Sequence, residues 1–191
     1  MKKLLIYAKV SAIVLVFLMI ANIVKSVDLD LPNWIPVTAG YLLDAILLGF
    51  FIFIIAISKS GSKLIKPSAI GILAVLVAVL TTVIQSHIIK KYGVNTFSDN
   101  IVYFQVGYVV YYLLILLAFF LLSRFFTKNK RLRVAAIVAG AIPLVVYMIS
   151  WPIYDAIDMT KYYSIVNATS IFLNYGSLIW FFLEFSNQNK S

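Results

Sequence analysis

One carboxylate, Asp44, stands in an otherwise uncharged stretch, TAGYLLDAILLGFFIFIIAI, which runs from Thr38 to Ile57. An ionisable group inside a membrane costs about 2.5 to 3.5 kcal/mol or more, and such residues mark ligand or ion sites by default. Two interpretations stay open. Asp44 binds a ligand, or it is a structural acid that is neutral or hydrogen-bonded to a neighbouring helix.

Polar and aromatic side chains with helical spacing are candidates to share a site with Asp44. Gln105, Tyr108 and Tyr112 recur at i, i+3 and i+7, which puts them on one face of a helix. A second polar stripe with this spacing runs through residues 167–177. The residues predicted to bind a ligand are Tyr41, Asp44, Gln85, Gln105, Tyr108, Tyr112, Tyr147, Trp151, Asn167, Ser170 and Asn174. Polar residues in membrane helices also hydrogen-bond between helices without a ligand, at about 0.6 kcal/mol each, and this alternative stays open.

The composition is that of a membrane protein. Of the 191 residues, 63% are hydrophobic and 12% are charged, whereas about 25% are charged in an average globular domain. The net charge of +9 lies in loops rather than in a folded basic segment, so we predict no nucleic-acid partner. The absence of cysteine excludes disulfides and thiolate chemistry, and a single histidine argues against a histidine-rich metal site. No Gly-rich phosphate loop, HExxH or GxSxG motif occurs, so no enzyme activity, cofactor or metal site is predicted.

Six apolar stretches are long enough to cross a bilayer, whose core of about 30 Å requires about 20 helical residues. They are residues 4–24, 37–57, 68–89, 101–122, 134–154 and 164–185. The first stretch begins like a signal peptide, but its length and the lack of a small-residue cleavage site favour a retained helix. The sequence therefore predicts an all-α integral membrane protein, a six-helix transmembrane bundle, with residues 1–191 forming a single transmembrane domain.

The distribution of positive charge predicts the orientation of the bundle. Most of the 16 Lys and Arg residues lie at the termini and in the second and fourth loops, which alternate onto one side of the membrane. Because cytoplasmic loops carry the excess of Lys and Arg, both termini are predicted to be cytoplasmic. A rise of about 1.5 Å per residue then puts Asp44 roughly 10 Å below the outer boundary. Most of the polar candidates also lie in the outer half, whereas the inner half is apolar.

A polar cup that opens outward over an apolar plug predicts a protein that captures a small polar or amphipathic solute. This outline is similar to the substrate-binding components of energy-coupling-factor vitamin transporters in length, helix number, orientation and position of the site. The resemblance is one of architecture, and it implies a cytoplasmic ATPase or another membrane subunit as partner. The expected localisation is the cell membrane, and the compact chain, rich in Lys and Ile, favours a bacterial source.

Two other classes of function stay open. Small residues four positions apart, such as Ala135 and Ala139, allow close helix packing, either inside the bundle or against a partner. A partner would indicate a non-catalytic immunity or accessory interaction protein of the membrane. An intramembrane lipid-modifying enzyme is the second alternative, and it requires an acid and a base within reach of each other, for which Asp44 and His87 are the candidates in the outer half.

Overall fold

The computed structural model describes residues 2–27, 34–58, 62–92, 101–156 and 159–188, and its regular structure is helical. The helices are α1 (Lys2–Val27), α2 (Trp34–Ile57), α3 (Ile65–Tyr92), α4 (Ile101–Ser123), α5 (Lys130–Ala156) and α6 (Met159–Ser186). All six are long and apolar enough to cross a membrane. Every predicted span lies wholly inside one helix, so the predicted set of six helices is confirmed. The orientation of the termini and the single domain stay predictions.

The helices form a closed ring. Each packs against its neighbours along the chain, and α1 packs against α6 to complete the circle. Helices suit a membrane because their backbone hydrogen bonds are satisfied within each segment, where no water could replace them. The short connections make neighbouring helices antiparallel. All six helices contribute side chains to the interior, where large aromatic rings of α2, α4 and α6 meet.

Helix ends outside the apolar stretches follow from local hydrogen bonds. Asn129 precedes α5, and its Oδ1 accepts a hydrogen bond of 3.0 Å from the backbone N–H of Leu132. An Asn at this position satisfies an N–H that has no partner inside the helix. Pro67 lies in the first turn of α3, where its missing N–H leaves no helical hydrogen bond unmade.

Phenylalanine rings fill one half of the interior. We call this group the phenylalanine core: Phe50, Phe51, Phe119, Phe181, Phe182 and Phe185. Phe50 and Phe181 meet edge to face with 5.5 Å between ring centroids, and Phe119 and Phe181 do so at 4.9 Å. Such tilted contacts are the favoured arrangement of aromatic pairs. The core lies where α2, α4 and α6 end, which is the half that the sequence predicts to be apolar.

Small residues bring the helices close together inside the chain. Ala8, Ala74 and Ala135 have no exposed surface. A Cβ added at Gly140 on α5 would lie 3.0 Å from Phe119 Cβ and 3.1 Å from Leu116 Cα on α4. The small-residue pairs therefore serve packing within the bundle.

Candidate functional site

A cavity of about 280 Å³ lies between α2, α3 and α4. Its lining residues are Gly40, Tyr41, Leu43, Asp44, Ala78, Thr82, Tyr108, Tyr111 and Tyr112, and we call it the tyrosine cavity. The lining comes from the first half of α2, the middle and second half of α3 and the first half of α4. Because these helices alternate in direction, the cavity lies at one end of the bundle and the phenylalanine core at the other.

Helical spacing explains why each helix contributes a single face. Tyr41 precedes Asp44 by three positions on α2, and Ala78 precedes Thr82 by four on α3. Residues three and four apart lie above one another on a helix, so these pairs point the same way. The three tyrosines of α4 obey the same rule at i, i+3 and i+4.

Asp44 is half-buried in the wall of the tyrosine cavity. Within the described ranges, no hydrogen bond or ion pair reaches its carboxyl group. The carboxyl lies near enough to Tyr111, Tyr112 and Tyr175 to interact with them electrostatically. Asp44 thus provides an acceptor that no other described side chain occupies.

Tyr108 is held in place by polar side chains of α3. Its hydroxyl donates a hydrogen bond of 3.1 Å to Gln85 Oε1. Thr82 Oγ1 lies 3.4 Å from the same hydroxyl. These bonds link α3 to α4 across the tyrosine cavity, so Gln85 acts here by orienting the ring of Tyr108.

Tyr147 on α5 supports the tyrosine wall from behind. Its ring centroid lies 5.0 Å from that of Tyr112 and 6.3 Å from that of Tyr108. Tyr111 and Tyr112 are themselves 4.8 Å apart between centroids. The aromatic wall is therefore a packed group of rings from two helices, which restricts how far any of them can turn.

A second, smaller cavity of about 80 Å³ lies between α2, α4, α5 and α6. We call it the central chamber, and its lining residues are Leu43, Leu47, Tyr111, Tyr112, Ile115, Ala139, Pro143, Asn174, Tyr175 and Leu178. Leu43, Tyr111 and Tyr112 also line the tyrosine cavity, so these three side chains separate the two spaces.

The central chamber contains hydrogen-bond acceptors without a donor. Asn174 Oδ1 is buried and has no hydrogen-bond partner among the described residues. Pro143 has no N–H, so the carbonyl of Ala139 one turn earlier lacks its helical donor. An unpaired buried acceptor typically costs about 1 to 3 kcal/mol. The chamber therefore encloses an unpaired acceptor, Asn174 Oδ1, within a mostly apolar lining.

Several other predicted site residues lie elsewhere. Ser170 pairs with Ser150 at 3.1 Å between hydroxyl oxygens, which joins α6 to α5. Gln105 and Asn167 are half-buried, and neither is among the residues lining the tyrosine cavity or the central chamber. Trp151 belongs to α5, but its side chain lies outside the described residues.

The structure thus brings four predicted residues, Tyr41, Asp44, Tyr108 and Tyr112, to one cavity, with Gln85 and Tyr147 in support. Asn174 lies across the shared wall in the central chamber. The sequence reasoning missed Tyr111, which lines both spaces. Its spacing could have identified it, because Tyr111 follows Tyr108 by three positions and so lies on the same helical face. The predicted face instead ran from Gln105 through Tyr108 to Tyr112.

Neither a metal-binding group in the described residues nor a known relative assigns a function to the tyrosine cavity. Within the described ranges, no group of three or more His, Asp or Glu side chains could hold a metal ion. Comparison with protein-family models, with curated proteins and with solved structures found no match.

Proposed function

We propose that this chain is a multi-pass cell-membrane protein that binds a small polar or amphipathic solute in the tyrosine cavity. The observation that carries the proposal is the half-buried Asp44 carboxyl, which has no partner among the described residues and faces a cavity between three helices. A ligand with donor groups would satisfy this acceptor. The tyrosine cavity has a volume of about 280 Å³. This is near the lower limit of about 300 Å³ for typical ligand pockets, which favours a small molecule.

The proposed orientation has both termini in the cytoplasm and the tyrosine cavity in the outer half. The excess of Lys and Arg at the termini and around residues 124–133 supports it. In this orientation the phenylalanine core lies on the cytoplasmic side and separates the bound solute from the cytoplasm. The chain would therefore act as the membrane subunit of a transport system, together with a cytoplasmic ATPase or another membrane subunit.

The alternatives have weaker support. An interaction protein would need an accessible small-residue face, whereas Ala8, Ala74 and Ala135 are buried within the chain. A lipid-modifying enzyme would need Asp44 and His87 together, but His87 is exposed and is not among the residues lining the tyrosine cavity.

The test is mass spectrometry of small molecules released from purified protein. The wild type is compared with Asp44→Asn and with Glu184→Gln, which removes a carboxylate from the opposite end of the bundle. We expect one compound to be retained by the wild type and by Glu184→Gln but lost from Asp44→Asn. Equal retention by all three proteins, or no retention above a bilayer blank, would overturn the proposal.

A further inference from the structure

The charge of the tyrosine cavity is one-sided. Asp44 is its acidic residue, and no Lys, Arg or His is among the described residues that line it. A solute in this cavity meets a carboxylate and tyrosine hydroxyls but no positive side chain. An anionic ligand would be repelled, because like charges are destabilising where the surrounding dielectric is low.

The carboxylate also lacks internal compensation. The nearby hydroxyl of Tyr108 donates to Gln85, and no described residue forms an ion pair or hydrogen bond with Asp44. Acids inside membranes usually pair with an opposite charge or line a water-filled space. Since the described part of the chain places no Lys, Arg or His against Asp44, a bound cation is the natural partner for its carboxylate.

The walls suit a cation that carries alkyl groups. Tyr41, Tyr108, Tyr111 and Tyr112 line the space with aromatic rings. The negative face of an aromatic ring attracts alkylammonium groups, and several rings around one cationic centre form an aromatic cage. A small inorganic ion would instead require a close shell of oxygen ligands.

We propose that the tyrosine cavity selects small organic cations of the alkylammonium class. The Asp44 carboxylate provides the counter-charge, and the tyrosine rings enclose the alkyl groups. This inference rests on the proposed solute-binding function and names the class of solute that it would take. It also explains why four tyrosines and one acid share a cavity in a chain whose other interior residues are mainly aliphatic or phenylalanine.

The experiment measures binding of two probes by titration calorimetry with the protein in lipid nanodiscs. The first probe is choline. The second is its neutral carbon analogue, in which a tert-butyl group replaces the trimethylammonium group. We expect the wild type and Glu184→Gln to bind choline at least about tenfold more tightly than the analogue, a difference of about 1.4 kcal/mol, because only choline has the positive charge that Asp44 and the rings attract. Asp44→Asn removes the counter-charge but keeps the tyrosine rings, so it should weaken choline binding and reduce this preference.

Variants of Tyr41 test the inference even if Asp44→Asn does not fold. The Tyr41 side chain is 46% exposed, so its replacement should leave the fold intact. Tyr41→Phe keeps the ring and should preserve choline binding, whereas Tyr41→Leu should weaken it several-fold. Equal binding of both probes, unchanged in Asp44→Asn, would overturn the cation inference and leave the solute-binding proposal standing. Failure of the wild type to bind either probe would overturn the cation inference, and the retained-compound measurement then decides the proposed function separately.

Discussion

Replacement of Gly107 by alanine should force α3 and α4 apart beside the tyrosine cavity. A Cβ at this position would lie 2.6 Å from Thr81 Oγ1 and 2.8 Å from Thr81 Cγ2. Non-bonded atoms prefer separations of about 3.5 to 4.0 Å. Rotation of Thr81 gives no relief, because its two heavy branches share three staggered positions and two of these are blocked. The helices themselves must therefore move.

The size of the effect follows from a matched glycine. Overpacking of this kind costs about 1 to 3 kcal/mol, while alanine gains about 0.8 to 1 kcal/mol over glycine inside a helix. Gly176 on α6 has nothing within 4 Å of an added Cβ, so Gly176→Ala carries the helix preference alone. The preference cancels between the two variants. We therefore expect Gly107→Ala to be less stable than Gly176→Ala by about 1 to 3 kcal/mol.

The assay is the free energy of unfolding, measured by titration with sodium dodecyl sulfate in mixed micelles. Choline binding is measured on the same samples, because Tyr108 and Thr82 flank this contact and line the tyrosine cavity. We expect Gly107→Ala to weaken binding and Gly176→Ala to leave it unchanged. If Gly107→Ala is as stable as Gly176→Ala, α3 and α4 do not approach each other as closely as described. The argument that the Gly107–Thr81 contact holds the wall of the tyrosine cavity would then fail as well.

Three further predictions concern other parts of the bundle and use the same unfolding measurement. Asn174→Leu should raise the free energy of unfolding by about 1 to 3 kcal/mol, since it removes a buried acceptor without a partner; a decrease would contradict an unpaired amide. Phe50→Ala should lower the free energy of unfolding by about 3 to 5 kcal/mol. Phe172→Ala should change it little, because 57% of the Phe172 side chain is exposed. Similar losses in both variants would refute the phenylalanine core as the centre of stability. Asn129→Ala should cost about 1 kcal/mol through loss of the α5 cap, and Asn129→Asp should retain the stability of the wild type; equal losses in the two variants would contradict capping.

The sequence predicted the helices because membrane spans require long apolar runs, and hydropathy measures that property directly. The positions of the helix ends were harder to predict. α5 begins at Lys130, four residues before the predicted span, because Asn129 caps a turn that contains basic residues. α6 begins at Met159, five residues before its predicted span. A helix that continues into the polar interface leaves the apolar run that hydropathy detects.

The direction in which each helical face points was harder to predict than the helices themselves. Lipid and protein interior are similarly apolar, so hydrophobicity does not distinguish an outward from an inward face. The stripe through Ser170 therefore looked like part of one site, whereas Ser170 pairs with Ser150 at the contact between α5 and α6. Asp44 was informative because a charged side chain that faces lipid is costly, so Asp44 was expected to face the interior.

The position of the phenylalanine core limits what the chain can do alone. A solute that moved from the tyrosine cavity toward the other end would have to separate Phe50, Phe119 and Phe181, all of which are fully buried. Truncation of even one such ring to alanine typically costs about 3 to 5 kcal/mol, which sets the scale for separating the rings. Opening of the core without external energy would therefore be rare. The proposed transport role therefore predicts a partner subunit that supplies energy, whereas solute capture in the tyrosine cavity needs none.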